Sequence, residues 1–140
     1  MNSTMTVETY GQLPVSSKRA FPAAPFPRKY VHSVFDELQD AVQAVQALQT
    51  AGYAAGDIHL MASWDYKEAV ERRQAPMGFL SSIDEDFVGV YLHEARRGRH
   101  ILAVRLSRRE QILPVRNLLA ARHAHLVKYV DTWTFANLLP

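Results

Sequence analysis

An α+β domain built on one antiparallel sheet is what this sequence predicts, and three observations carry the prediction. Apolar residues fall into four short strand-like runs separated by runs with helical spacing. Their order is strand–helix–strand, two further helices, then strand–helix–strand. Residues 91–106 (YLHEARRGRHILAVRL) place a helix end, a glycine stop at Gly98 and a nearly unbroken apolar strand side by side, each with its own local signal.

At 140 residues the chain has room for one domain with a real core. Its hydrophobic fraction of 48% and charged fraction of 21% are those of a folded soluble protein, not a disordered one. Cysteine is absent, which rules out disulfides and thiolate chemistry and fits a reducing cytoplasm. The first residues lack the apolar core of a signal peptide, and no apolar run approaches the roughly 18 residues of a membrane helix.

The net charge of +2 hides an uneven distribution. Residues 1–29 carry four Lys/Arg against one acid, residues 30–93 three against ten, and residues 94–140 nine against three. The segments therefore net +3, −7 and +6. A basic end and an acidic middle can neutralise each other within one chain or between twin subunits, so the pI near 9.0 overstates any appetite for nucleic acid.

Residues 1–29 hold Pro14, Pro22, Pro25 and Pro27 among small and polar residues, with Phe21 and Phe26 as conceivable anchors. They read as a flexible proline-containing arm, and 30–140 as the domain. Tyr30–Phe35 (YVHSVF) is a β-branched and aromatic first strand. Asp36 is the expected N-cap of a helix with Leu38, Ala41, Val42, Val45 and Leu48 on one face, stopped by Gly52. Residues 57–63 (DIHLMAS) alternate and form a second strand. A polar helix over 64–74 follows, with Ser63 as its cap and Glu68–Arg72 spaced for an ion pair, ended by Pro76 and Gly78.

Ser82 and Glu85 make a capping box for the next helix, whose apolar face is Ile83, Phe87, Val90, Tyr91 and Ala95. After Gly98 the third strand runs over 100–106. Ser107 and Glu110 form a second capping box, opening a helix with Ile112, Val115, Leu118 and Leu119. Pro114 lies seven residues in, so this helix either kinks there or begins later than the box. A fourth strand covers 125–133, and the apolar tail 134–140 covers the core or meets a partner.

Two split β-α-β units of this kind predict a ferredoxin-like sandwich, a four-stranded antiparallel sheet with helices on one face. The other face then needs a cover. Tyr30, His32, Met61, Ile101, Ala103, Tyr129 and Trp133 are its expected apolar surface, and a patch of that size marks an interface. A homodimer through this face is the expectation.

The strings VHSVFDELQDAVQAVQALQTAGY, DIHLMAS and VYLHEARRGRHILAVRL resemble the general stress protein 17M-like family of bacterial domains. The likeness covers 30–133. It resembles the family in a V-x-x-V-F-D strand end, an alanine-rich helix ending in Ala-Gly, and Tyr-x-x-x-Ala-x-x-Gly before a strand. It implies a small cytoplasmic α+β domain linked to stress, with no catalytic residue to carry over. The proline-bearing arm, Pro114, and AARHAH in place of a helix-ending glycine depart from the pattern.

Chemical motifs are sparse. His123 and His125 lie two apart, and His93 and His100 flank the central junction, yet no third ligand of suitable spacing follows, so no metal site is assigned. Asp84, Glu85 and Asp86 occupy a first helical turn, where acids are stabilising without any catalytic role. AGYAAG ends a helix where a phosphate loop must begin one, and neither G-x-S-x-G nor H-E-x-x-H occurs. No catalytic residue, cofactor or metal is assigned.

The one cluster with a functional reading is basic: Arg99, Arg105, Arg108 and Arg109 are candidates for anion binding, weighed against plain pairing with the acidic middle segment. Few aromatics interleave with them, so nucleic acid is disfavoured. The sequence therefore reads as a non-enzymatic, stress-associated, cytoplasmic domain acting through protein contacts as a homodimer, with the arm or tail available to a further protein. The alternatives are a small-ligand binder or cofactor-free enzyme using a cleft in an α+β dimer, and anion or nucleic-acid binding through the basic half.

Overall fold

The computed structural model describes residues 29–73, 82–130 and 135–140. These hold five strands and four helices in the order β1 (Tyr30–Phe35), α1 (Leu38–Thr50), β2 (Ile58–Met61), α2 (Ser63–Arg73), α3 (Ser82–Arg96), β3 (His100–Arg105), α4 (Ile112–Ala120), β4 (His125–Val130) and β5 (Phe135–Leu139). The class is α+β, and the sheet is open, with order β2-β3-β1-β4-β5 and every neighbour antiparallel. Strands β1 and β2 therefore run parallel with β3 between them, while β3 and β4 run parallel with β1 between them. The two β-α-β units interleave.

Three helices end in the same way. Gly52 and Gly98 take φ values of 103° and 89°, a region that glycine enters without a Cβ clash. In each case the glycine N–H donates back to the carbonyl three residues earlier (Gln49, Ala95), and the next N–H reaches the carbonyl five earlier (Leu48, Glu94), all at 3.0 Å. Helix α4 ends identically without a glycine. His123 takes φ 70°, its N–H donates to Ala120 O and that of Ala124 to Leu119 O. The missing glycine of AARHAH is thus replaced by a histidine in the same strained conformation. His123→Gly is expected to stabilise the fold by about 0.5–1 kcal/mol in urea denaturation, the relief of strain exceeding the added freedom of the unfolded chain. A destabilised variant would contradict this.

Alternate strand residues point to opposite faces, and both faces are covered. On one, Val31, Phe35, Ile58, Leu60, Leu102, Val104, Val127 and Tyr129 meet Leu38, Ala41, Val42, Ala44, Val45 and Leu48 of α1 and Val115 and Leu119 of α4. Each large aliphatic side chain buried there contributes about 1.5–3 kcal/mol. On the other, Val34, Met61 and Ile101 meet Tyr66 of α2 and Tyr91, Leu92 and Ala95 of α3. This corrects the expectation of helices on one face only. The inserted helices are amphipathic and have nowhere else to bury an apolar side.

Three further expectations are corrected. The sheet has a fifth strand: the apolar tail pairs with β4, from Val130–Phe135 to Val127–Leu139, and Leu138 and Leu139 lean on the main core. Asp36 does not cap α1, whose cap position is Glu37 with no side-chain hydrogen bond, because Asp36 is held by other partners described below. Before α4 the capping side chain is Gln111, not Glu110. Gln111 Oε1 accepts from the N–H groups of Ser107 and Arg108 at 2.9 and 3.0 Å. Helix α4 then begins at Ile112, which settles the question of Pro114 in favour of a late start: the proline sits in the first turn, where its missing N–H has no carbonyl to reach.

Candidate functional site

Of the seven residues expected to form an outer surface, Tyr30, His32, Met61, Ile101 and Ala103 do share one face, as their register requires. None is open. All five are buried within the single chain, so this face is not a bare dimer surface. Tyr129 belongs to the opposite face, against α1 and α4, and Trp133 lies outside the described residues, as do the arm's Phe21 and Phe26.

On that face one row is polar. The pairings His32–Lys128, His32–Ala103 and His59–Ala103 set Lys128, His32, Ala103 and His59 side by side across four strands. Tyr30 stands one pleat along, with its phenol 3.2 Å from His59 Nε2. Ring centroids are 5.4 Å apart for Tyr30–His59, 6.1 Å for Tyr30–His32 and 5.8 Å for His32–Tyr91. These are separations of rings in contact.

The phenols of this group stay protonated at neutral pH. Burial pushes Tyr91 well above the usual tyrosine value, and Tyr66 beside it adds to the effect. Tyr30 is raised by burial, with Arg105 pulling it down and Asp57 pushing it up. Tyr91 donates its hydroxyl proton to the Leu126 carbonyl at 2.8 Å. Leu126 lies where β4 carries one extra residue between the His32–Lys128 and Val34–His125 pairs, and it takes φ 49°. Tyr91 therefore ties α3 to the irregular point of the β1–β4 pairing. The rings are buried and contact one another, an arrangement suited to cementing a layer.

A second cluster gathers where β1 ends and β3 and β4 begin. Arg99 Nε lies 3.0 Å from Asp36 Oδ1, and its Nη1 donates to Glu94 Oε1 at 2.8 Å. His125 Nε2 is 2.7 Å from the same Asp36 oxygen, and His123 Nδ1 is 3.3 Å from Asp40 Oδ2. The turn after α3 folds Arg99 back, so that its backbone N–H and its guanidinium both reach Glu94. Sequence reasoning missed the Asp36–His125 contact because 89 residues separate the two. The only local signal was an acid just past a strand, which also describes a helix cap.

The four candidate anion-binding arginines are not brought together. Arg99 is engaged by Asp36 and Glu94, and Arg105, at the far end of β3, lies 3.7 Å from Asp57. Arg108 and Arg109 belong to the turn before α4. The length of β3 separates the first two by about 20 Å. Pairing of basic and acidic segments, the plainer of the two accounts, describes Arg99 and Arg105. Among the described residues, no three His, Asp or Glu side chains converge in a way that could hold a metal. No described helix is long and apolar enough to cross a membrane. The chain matches no protein-family model, no curated protein and no solved structure.

Proposed function

We propose that this chain is a non-enzymatic, stress-associated cytoplasmic domain that acts through protein contacts as a homodimer, joined along the outer edge of β5. Its fold, on this reading, is a ferredoxin-like sandwich extended by one strand, which the interleaved β-α-β units support. The link to stress rests on the sequence likeness described above.

One observation carries the proposal. Strand β5 is paired to β4 on one flank and, among the described residues, ends the sheet on the other. It contains no charged residue, although charges and prolines are the usual protection of such an edge. Ala136 and Asn137 are exposed along it. Its position is firm, because Arg116 Nε donates to the Leu138 carbonyl at 3.2 Å and two leucines anchor it to the core. An uncharged, anchored edge is a template for adding a strand from a second copy. The ligand-binding alternative draws less support, because the polar aromatic groups of the second face pack against each other.

Sedimentation equilibrium at micromolar concentration tests this. The expected mass is twice that of one chain, and Ala136→Lys with Asn137→Lys is expected to weaken association at least about tenfold by placing like charges across the joint. A single-chain mass for the unaltered protein overturns the proposal.

A further inference from the structure

The corner at which the chain leaves β2 and enters α2 is held by a hydrogen bond from a side chain of another strand. The Ala62 carbonyl accepts from Asp65 and Tyr66, both at 3.0 Å, so α2 is already turning at Ser63. The Ser63 N–H is therefore one of the first-turn amides that no carbonyl inside the helix can reach. It is satisfied from another strand: Ser63 N donates to His100 Nδ1 at 3.0 Å. Both residues are buried. An imidazole nitrogen that accepts must carry its lone pair, so the ring is neutral, with its proton on Nε2.

We propose that His100 is an acid-released latch: its protonation breaks the bond to Ser63 and loosens the α2–α3 layer from the sheet, while the α1–α4 layer stays in place. A proton on Nδ1 sets two donors against each other where one bond stood. Burial disfavours the imidazolium and holds the His100 pKa below the ordinary histidine value, with Asp36 pulling in the opposite direction. A positive charge there also meets the positive end of the α2 dipole.

The surroundings offer the imidazolium little relief. From the end of β1 comes Asp36, already engaged by Arg99 and His125 at 3.0 and 2.7 Å. From α3 comes Glu94, held by Arg99 at 2.8 Å. Arg99 is the neighbour of His100 in sequence and adds positive charge, and α2 contributes Trp64, whose ring stands edge-on at 6.0 Å. Among the described residues, the layer to be released rests on Val34, Met61 and Ile101 of the sheet through Tyr66 of α2 and Tyr91, Leu92 and Ala95 of α3.

Because the folded value lies below that of the unfolded chain, about 6.5, the unfolded chain takes up the proton first. The stability contributed by neutral His100 is complete above about pH 6.5 and is lost as the pH falls toward the folded value.

Hydrogen exchange at about pH 7.5 and about pH 5, corrected for intrinsic rates, reads this directly. Amides of 63–73 are expected to gain about tenfold in exchange relative to those of α1 at the lower pH. His100→Asn places an amide oxygen where Nδ1 stood, so it accepts from Ser63 at either pH, and the gain is expected to vanish. An equal gain in both proteins, or none in the unaltered one, overturns the latch. Should the variant fail to fold, an NMR titration of His100 in the unaltered chain decides instead: a pKa at or above about 6.5 overturns the proposal, and a lower one supports it.

Discussion

Replacing Ile101 with alanine is expected to cost the folded chain about 2–4 kcal/mol, and the same amount at every protein concentration. Ile101 is fully buried and pairs with Val34 on one side and Met61 on the other. Tyr91, Leu92 and Ala95 of α3 close over this part of the sheet, so truncation opens a cavity that packed neighbours fill only in part. A surface shared between two subunits would behave differently: the loss would fall on association, and the unfolding midpoint would move with dilution. Urea denaturation over a roughly fifty-fold range of concentration separates the two. A cost below about 1 kcal/mol would mean that α2 and α3 do not cover this face as described.

The second large effect concerns Arg99. Arg99→Met is expected to destabilise the fold by about 2–3 kcal/mol, because it strands a carboxylate in the interior. The Glu94 side chain is 9% exposed, and its other cation, Arg97, is 4.0 Å away and more than half exposed. Arg99 is itself about a quarter exposed, which keeps the cost below that of a fully buried pair. Converting Glu94 to methionine as well removes the stranded charge, so the double variant is expected to return to within about 1 kcal/mol of the native chain. Additive losses in this cycle would show that the two side chains act independently.

How much of this could be read in advance varies from residue to residue. The first strand has the bounds its residues imply, Tyr30–Phe35, since β-branched and aromatic residues fall between a basic stretch and a helix start. The stops at Gly52 and Gly98 were equally legible, because a left-handed residue at a helix end is a local need that one residue type meets best. The tail was not. Phe135–Leu139 has no alternation to mark it as a strand, and only the edge of β4 makes it one. Asp36 was misread for a related reason: its partners Arg99 and His125 lie far along the chain. For the candidate site, the residue types were visible, but their convergence depended on register. His32, Ala103 and His59 come from three strands, and a slip of one residue in any of them would turn its member to the other face.

The amino-acid sequence by itself determined the α+β class, the order of the elements from β1 to β4, the apolar faces of α1 and α4, and two of the three left-handed helix ends. Each depends on residues within one or two turns of one another, where spacing and backbone preference decide. Tertiary structure alone decided that α2 and α3 cover the second face, that the tail is a fifth strand, that Asp36 binds Arg99 and His125, and that His100 holds the start of α2. Those outcomes depend on which surfaces are left to bury once the sheet has formed, and that is a property of the assembled layers.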